Sequence, residues 1–584
     1  VTPTIAPARP ELVTEGIPAR RAGWIERATS ADHKSVGLLY LGGAFAFLAV
    51  AVTELVLLRL QLIVPENTLI NPVLFDRISS TSAVTAVLLF ALPLAIGLYS
   101  YVVPLQIGAR GVALPRVNLL GAWLYLGGAA AIYASFAWRP PEAGFAAMPP
   151  LSNLLYSPTN GVDAWILGVG MAVLGFVCSS VNMVTTLRNM RAPGMAWRRV
   201  PPFSLAGAVT SCLMLVAGPV MLAALTMLMI DRRFDGIFFN AIQNGAPLYY
   251  QHLAWIFFNA AYAAILIFAF GVALEVAPTF ARKPLFSLRA AAICLPAVAA
   301  LAVLAWMQNM YTAPIPNGFR IFAMVVSLAL VVPVGLLFVN VIATLWGGAL
   351  RPRGALLFAV GGMSVLSLGL AGELMYSVIP VGWQLDNTTA AQVATVDVLV
   401  GSGVLCGFAA LHYWLPKLCG RAMAEGPAKA ALALILVGAY AFDAFMFLAG
   451  VKGQPADIYK FFQGQGLDGL NVGASVAAFV LAAGVLLELA NAAWSWRNGR
   501  AAGHDPWGGA TLEWFALSPP PVHNFDAVPD VRSATPLHDI REFVRRRAAA
   551  TGDRSPQAAP APAASPAPEP ARADPGTEGG APVS

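Results

Sequence analysis

The stretch QHLAWIFFNAAYAAILIFAFGVALEVAPTF, residues 251–280, decides how the whole chain is read. Polar groups sit at its head, Gln251, His252 and Trp255, followed only by Asn259, Tyr262 and the single acid Glu275 before the final turns. A helix needs about 20 predominantly apolar residues to cross the hydrocarbon core of a bilayer. This stretch is long enough, and the question it poses is whether it walls a reaction site or is only a wall.

The same pattern recurs along the chain. Of the 584 residues, 58% are hydrophobic and 11% charged, far below the roughly 25% charged share of soluble domains. Runs of bilayer length occur near 36–62, 80–104, 117–138, 162–186, 204–229, 250–277, 288–308, 319–345, 354–379, 392–415, 428–450 and 471–495. Backbone that crosses lipid must satisfy its own hydrogen bonds, which makes each run a helix. The expected fold class is therefore an all-α polytopic membrane protein built as a bundle of twelve transmembrane helices.

Placing the N-terminus in the cytoplasm puts 28 of the 36 Lys and Arg residues on cytoplasmic segments, the bias that sets membrane orientation. Both ends are then expected inside. The net charge of +6 becomes a topology signal and calls for no nucleic-acid partner. The expected organisation is a cytoplasmic segment over 1–35, a transmembrane domain over 36–495, a cytoplasmic segment over 496–549 and an Ala/Pro-rich tail over 550–584. The tail composition cannot bury a core and predicts disorder. The first 30 residues show no apolar core of a cleaved signal, so the first span itself is expected to direct insertion. Cys178, Cys212, Cys294, Cys406 and Cys419 have no paired spacing and are expected as free thiols. Glu54, Glu275, Glu373, Asp397, Asp443 and Glu488 lie within spans, where acids are functional candidates by default.

The connecting segments carry a more specific signal. ADHKSVGLLYL (31–41), PLQIGARGVALPRVN (104–118), MPPLS (148–152), QHLAW (251–255), EVAPTFARKPLF (275–286), ATLWGG (343–348), HYWLPKLCGR (412–421) and DPWGGATLEWFALSPPPVHNF (505–525) occur in this order. Together they resemble subunit I of the haem-copper terminal oxidases, the catalytic subunit of cytochrome c oxidase. The resemblance implies a twelve-helix bundle of that type in a respiratory membrane, holding two haems and a copper ion through six histidines. Neutral imidazole suits both iron and copper.

The implied ligands do not carry over. The resemblance puts a low-spin haem ligand at Ser82 and the two haem ligands of the tenth span at Ala394 and Val396. It puts copper ligands at Asn259, Gln308 and Asn309, with a proton-carrying acid at Ala261 and a tyrosine at Ala263. Further positions of the proton paths fall on Gly111 and Leu337, the propionate-holding Arg pair on Ala456 and Asp457, and the magnesium pair on Asp386 and Asn387. No cofactor is expected, and no metal, in place of the family's two haems and copper.

Other residues are weighed against blander roles. His33, His504, His523 and His538 fall in terminal segments, while His252 and His412 stand at opposite membrane faces and cannot share a metal. Met307 and Met310 lie one turn apart and thioethers bind cuprous copper, but core filling accounts for them more simply. Asn259, Gln308 and Asn309 are expected to converge as an amide cluster tying helices together, or else to line a polar pocket. Phe257, Phe258 and the Val and Leu side chains around 396–400 are expected to fill part of the cofactor space, with lipid available for the remainder. These expectations point to a cofactor-free pseudo-subunit, not an oxygen-reducing enzyme, partnering a genuine subunit I or other oxidase subunits in a bacterial cytoplasmic membrane. The alternatives are a carrier, channel or sensor for a small or apolar molecule, and an oxidase with atypical ligands.

Overall fold

The computed structural model describes residues 24–525 and 530–551. Residues up to Leu537 make one compact unit and those from His538 another. The expected tail lies outside the described residues from 552 onward.

Among the described residues, twelve helices are long and apolar enough to span: α1 (His33–Gln61), α2 (Pro72–Gln106), α3 (Pro115–Ala137), α4 (Gly161–Asn189), α5 (Pro202–Arg233), α6 (Pro247–Ala281), α7 (Leu288–Met310), α8 (Asn317–Leu345), α9 (Gly354–Ser377), α10 (Thr389–Cys419), α11 (Glu425–Val451) and α12 (Asp468–Asn498). The twelve-helix, all-α expectation holds. The largest difference is at α2, which starts eight residues before the expected 80. A polar run from Asp76 to Ser82 separates its first turn from the apolar stretch, so hydropathy misses it, but Asn71 caps it by accepting from Leu74 N at 2.8 Å, with Pro72 at the first helical position. This pairing is a standard helix start.

Most neighbours in sequence pack side by side, and α12 returns against α1. In their most apolar stretches α2 is 94% buried and α6 and α10 are 83% buried, against 28% for α1 and 33% for α8. The centre of the bundle is therefore α2, α6 and α10. Without a hydrophobic drive between helices in lipid, close backbone approach through small residues must hold the bundle. Along α3 and α4, Gly121 and Gly128 face Gly175 and Gly168 so closely that a Cβ on Gly128 would lie 2.3 Å from the Gly168 carbonyl oxygen.

Two central helices contain π turns, Thr85–Ala91 in α2 and Leu399–Leu405 in α10. The two turns pack on each other, and a Cβ on Gly403 would lie 3.1 Å from Ala91 Cβ. Such turns add a residue to the helical ladder and gather at functional sites.

One end of the bundle is closed by the segment after α12. Asn524 shares a hydrogen bond with His33 Nε2, donates to Ala109 O at 2.9 Å and accepts from Lys34 Nζ at 3.2 Å. Lys417 is fully buried and donates to Ala516 O at 2.8 Å and Ser518 Oγ at 2.7 Å. The motifs HK, LPKLCGR and SPPPVHNF thus form one interlocked cap.

Candidate functional site

The positions singled out by resemblance lie on the central helices and their ends. On α2, Ser82 Oγ donates to Ser79 O of its own helix at 3.0 Å. On α10, Ala394 is buried against α9, where a Cβ on Gly372 would stand 2.8 Å from Ala394 Cβ. Val396 packs on the apolar cluster of Val393, Phe442, Met446 and Ala474. These contacts bring α9 and α11 onto the two α10 positions.

The amide trio is brought together only in part. Asn309 Nδ2 donates to Asn259 Oδ1 at 2.8 Å, and Asn259 Nδ2 donates to Ala302 O at 3.3 Å. Gln308 turns away, its Oε1 accepting from Ser377 Oγ at 3.2 Å. The cause is local: the α-helical part of α7 stops at Leu304, and Trp306–Met310 continues as a tighter 3₁₀ turn. That change of winding puts adjacent amides on different neighbours. The expectation of a three-way cluster is corrected to a two-residue tie between α6 and α7. Asn309→Ala is expected to cost about 0.6–2 kcal/mol, the range for an interhelical hydrogen bond in lipid. The check is thermal unfolding of the purified protein in one detergent, compared with Gln308→Ala.

Ala261 and Ala263 are buried, as is Leu337. Phe258 fills space nearby, its ring 5.3 Å from Phe145, 5.6 Å from Phe257 and 6.2 Å from Trp255. Gly111 has open space where a Cβ would stand. The loops holding Asp386–Asn387 and Ala456–Asp457 meet through their backbones, Ala456 N donating to Asn387 O at 3.0 Å.

Burial pushes the Asp386 carboxyl up to about 6, from an ordinary aspartate value near 3.9. A raised carboxyl favours the folded state while it is protonated, so its contribution is complete below about pH 4 and lost as pH rises through about 6. Asp386→Asn is expected to flatten that part of the stability profile. Unfolding temperatures measured for both proteins across this interval provide the check.

Several polar groups are organised in ways the sequence did not disclose. Arg59 in α1 is buried and donates to Asn471 Oδ1 at 3.0 Å, Asn471 O at 3.1 Å and Ser475 Oγ at 3.3 Å on α12. Glu54 accepts from Thr81 Oγ1 and Tyr133 OH, each at 3.0 Å, joining α1, α2 and α3. Glu513 is fully buried and accepts from Gln106 Nε2 at 3.0 Å. Asp397 is buried, and its carboxyl is hydrogen-bonded to that of Asp443 on α11. Glu373 accepts from Thr395 Oγ1 at 3.2 Å.

The histidines serve as hydrogen-bonding groups. His412 Nε2 pairs with Glu488 Oε1 at 2.7 Å, His252 Nδ1 accepts from Trp306 Nε1 at 3.1 Å, and His504 Nδ1 accepts from Ser518 N at 3.1 Å. Met307 and Met310 are buried with Tyr311, Ile315 and Ala323. Among the described residues no three His, Cys, Asp or Glu side chains gather as a metal-binding group.

Low-spin haem iron takes strong axial donors such as histidine or methionine, and copper is well served by imidazole. Ser82 brings an alcohol, Ala394 and Val396 bring alkyl groups, and Asn259, Gln308 and Asn309 bring neutral amides. With α9 packed directly on Ala394, these residues do not fit the haems and copper that the resemblance implies.

Comparison with known proteins places the chain nonetheless. The family described as cytochrome c and quinol oxidase polypeptide I matches residues 35–480. Cytochrome c oxidase subunit 1 of Bacillus subtilis (strain 168) is 35% identical over 516 residues, covering 87% of this chain and 82% of that protein. The subunit 1 of Thermostichus vulcanus is 33% identical over 510 residues, covering 87% and 92%. A solved haem-copper terminal oxidase dimer shares the fold, with a TM-score of 0.69 at 15% identity over 88% of this chain and 89% of that one. The chain belongs to the cytochrome c and quinol oxidase polypeptide I family.

Proposed function

We propose that this protein is a subunit I-like pseudo-subunit without haem or copper, acting as a structural, assembly or regulatory partner in a respiratory oxidase complex. It sits in a bacterial cytoplasmic membrane with both termini in the cytoplasm, and it performs no oxygen reduction. The observation that carries this reading is the contrast between the two regions described above. At the centre, the six positions hold no histidine or comparably strong donor for haem iron or copper. At the end of the bundle, the cap built from His33, Lys34, Lys417 and Asn524 is intact and fully hydrogen-bonded. A chain that keeps this buried closing architecture at the end of the bundle while its centre lacks donors is suited to a structural role beside genuine oxidase subunits. The test is purification from native membranes in mild detergent at native abundance, with identification of the co-purifying chains. Oxidase subunits in stoichiometric amounts support the proposal, and a preparation free of them counts against it.

A second reading has its own observation. The carboxyls of Asp397 and Asp443, facing each other between α10 and α11, favour a carrier, channel or sensor, since acids at membrane depth mark ion and solute paths. Proteoliposomes that move protons or a small solute, and lose that movement in Asp397→Asn, would favour it over the subunit role.

A further inference from the structure

The connection after α4 forms a concave pocket of about 300 Å³ lined by Arg188, Asn189, Arg191 and Gly194 among others. Arg188 is exposed and has no hydrogen bond or ion pair among the described residues. Arg191 lies over the Trp197 ring at 4.4 Å and spends one nitrogen on Met195 O at 3.0 Å, while its Nε is buried without an acceptor. Arg198 is exposed next to them, and Arg199 is held by Gly194 O and Val531 O at 2.7 and 3.0 Å. Among the described residues none of these four arginines has a carboxylate within ion-pairing distance. Asp530 Oδ1 stands 3.0 Å from where a Cβ on Gly194 would lie, and Asp530 pairs with Arg532 at 3.7 Å.

The pocket also has an apolar approach. Leu167, Leu174 and Val181 are 56%, 42% and 38% exposed along α4, and Arg188 follows at the same spacing of seven residues. Two helical turns separate successive members, so all four share one face. Val181 and Leu174 lie about 10 and 20 Å from Arg188 at 1.5 Å per residue, spanning the roughly 15 Å depth of one leaflet. Trp197, 49% exposed, stands at the pocket rim, where an aromatic ring is at home in the interface.

The geometry points to a binding site for one anionic phospholipid, its phosphate in the Arg188–Arg191 pocket and an acyl chain along Leu174 and Val181. Guanidinium forks match the acceptor oxygens of a phosphodiester. Arginines with no ion-paired carboxylate among the described residues select a net anionic headgroup over a zwitterionic one. The apolar stripe leading to the cations selects a lipid over a free anion.

The test uses the full chain in detergent with phosphatidylglycerol or phosphatidylcholine added, and counts retained lipid by native mass spectrometry. The wild type is expected to retain one phosphatidylglycerol in preference to phosphatidylcholine. Arg188→Gln should weaken that preference roughly fivefold, as expected for one interfacial arginine. Arg353→Gln, an exposed arginine on another loop, should leave it unchanged. Arg188 is exposed and makes no hydrogen bond or ion pair among the described residues, so its variant is expected to fold, and an unchanged unfolding temperature shows that the comparison is valid. Added inorganic phosphate should not displace the lipid. Equal retention of the two lipids, unchanged retention in Arg188→Gln, or displacement by inorganic phosphate would each overturn the assignment.

Discussion

Leucine at Gly128 is expected to drive α3 away from α4 and leave little folded protein. The Cβ alone would sit 2.3 Å from Gly168 O and 3.0 Å from Ala172 N, both backbone atoms that no rotamer change can move. Overpacking in an interior costs about 1–3 kcal/mol when side chains can adjust, so a backbone collision should exceed that range. The same glycines admit the close approach that replaces hydrophobic drive between helices in lipid. Leucine at Gly127, one residue away, would meet only the flexible end of Met171 at the Cβ and should be tolerated far better. Yield of monodisperse protein after detergent extraction distinguishes the two substitutions. Comparable yields would mean that the α3–α4 contact does not determine the packing.

Asp163→Ala is expected to destabilise the opposite end of α4 by about 3–5 kcal/mol, the cost of leaving a buried charge without its partner. The Arg232 side chain is fully buried, and its Nε donates to Asp163 Oδ1 at 2.7 Å. Its remaining nitrogens donate to the carbonyls of Ser152, Ser157 and Thr159, fastening the loop between α3 and α4. Arg233 bonds the other oxygen of Asp163. Removing both partners at once, as in Asp163→Ala with Arg232→Met, should recover much of the loss, because the unpaired charge goes with them. Thermal unfolding of the wild type, single and double variants measures this directly, and a double variant no better than Asp163→Ala would refute the electrostatic cause.

Much of the architecture was legible because the bilayer imposes one simple rule, a run of apolar residues long enough to cross. Where the reading fell short, the missing information was not hydropathy. The start of α2 is set by the capping chemistry of Asn71-Pro72, and the polar run from Asp76 to Ser82 that follows hides it from hydropathy. The π turns of α2 and α10 have no compositional mark, since they arise from how one backbone fits another. Nothing in the sequence around Arg59 marks its role, because its partners, Asn471 and Ser475, lie over 400 residues away in sequence. The divergence of Gln308 from Asn309 followed from a 3₁₀ turn that the apolar run of α7 conceals. Glu513 sat unremarked in the TLEW motif, although its burial pushes the carboxyl above its ordinary value and its bond to Gln106 joins the closing segment to α2.

The central proposal concerns the stretch 251–280 and the helices around it. In α6, Asn259 is tied to Asn309 and the neighbouring Ala261 and Ala263 are buried among apolar groups, an arrangement that acts as packing and not as a coordination sphere. The most direct measurement is the haem and copper content per chain of protein purified from its native membrane, taken with a reduced-minus-oxidised absorption spectrum. Where oxidase subunits co-purify, the chain is separated from them before measurement. The proposal predicts neither metal nor haem bands in proportion to this chain; two haems and one copper per chain would contradict it.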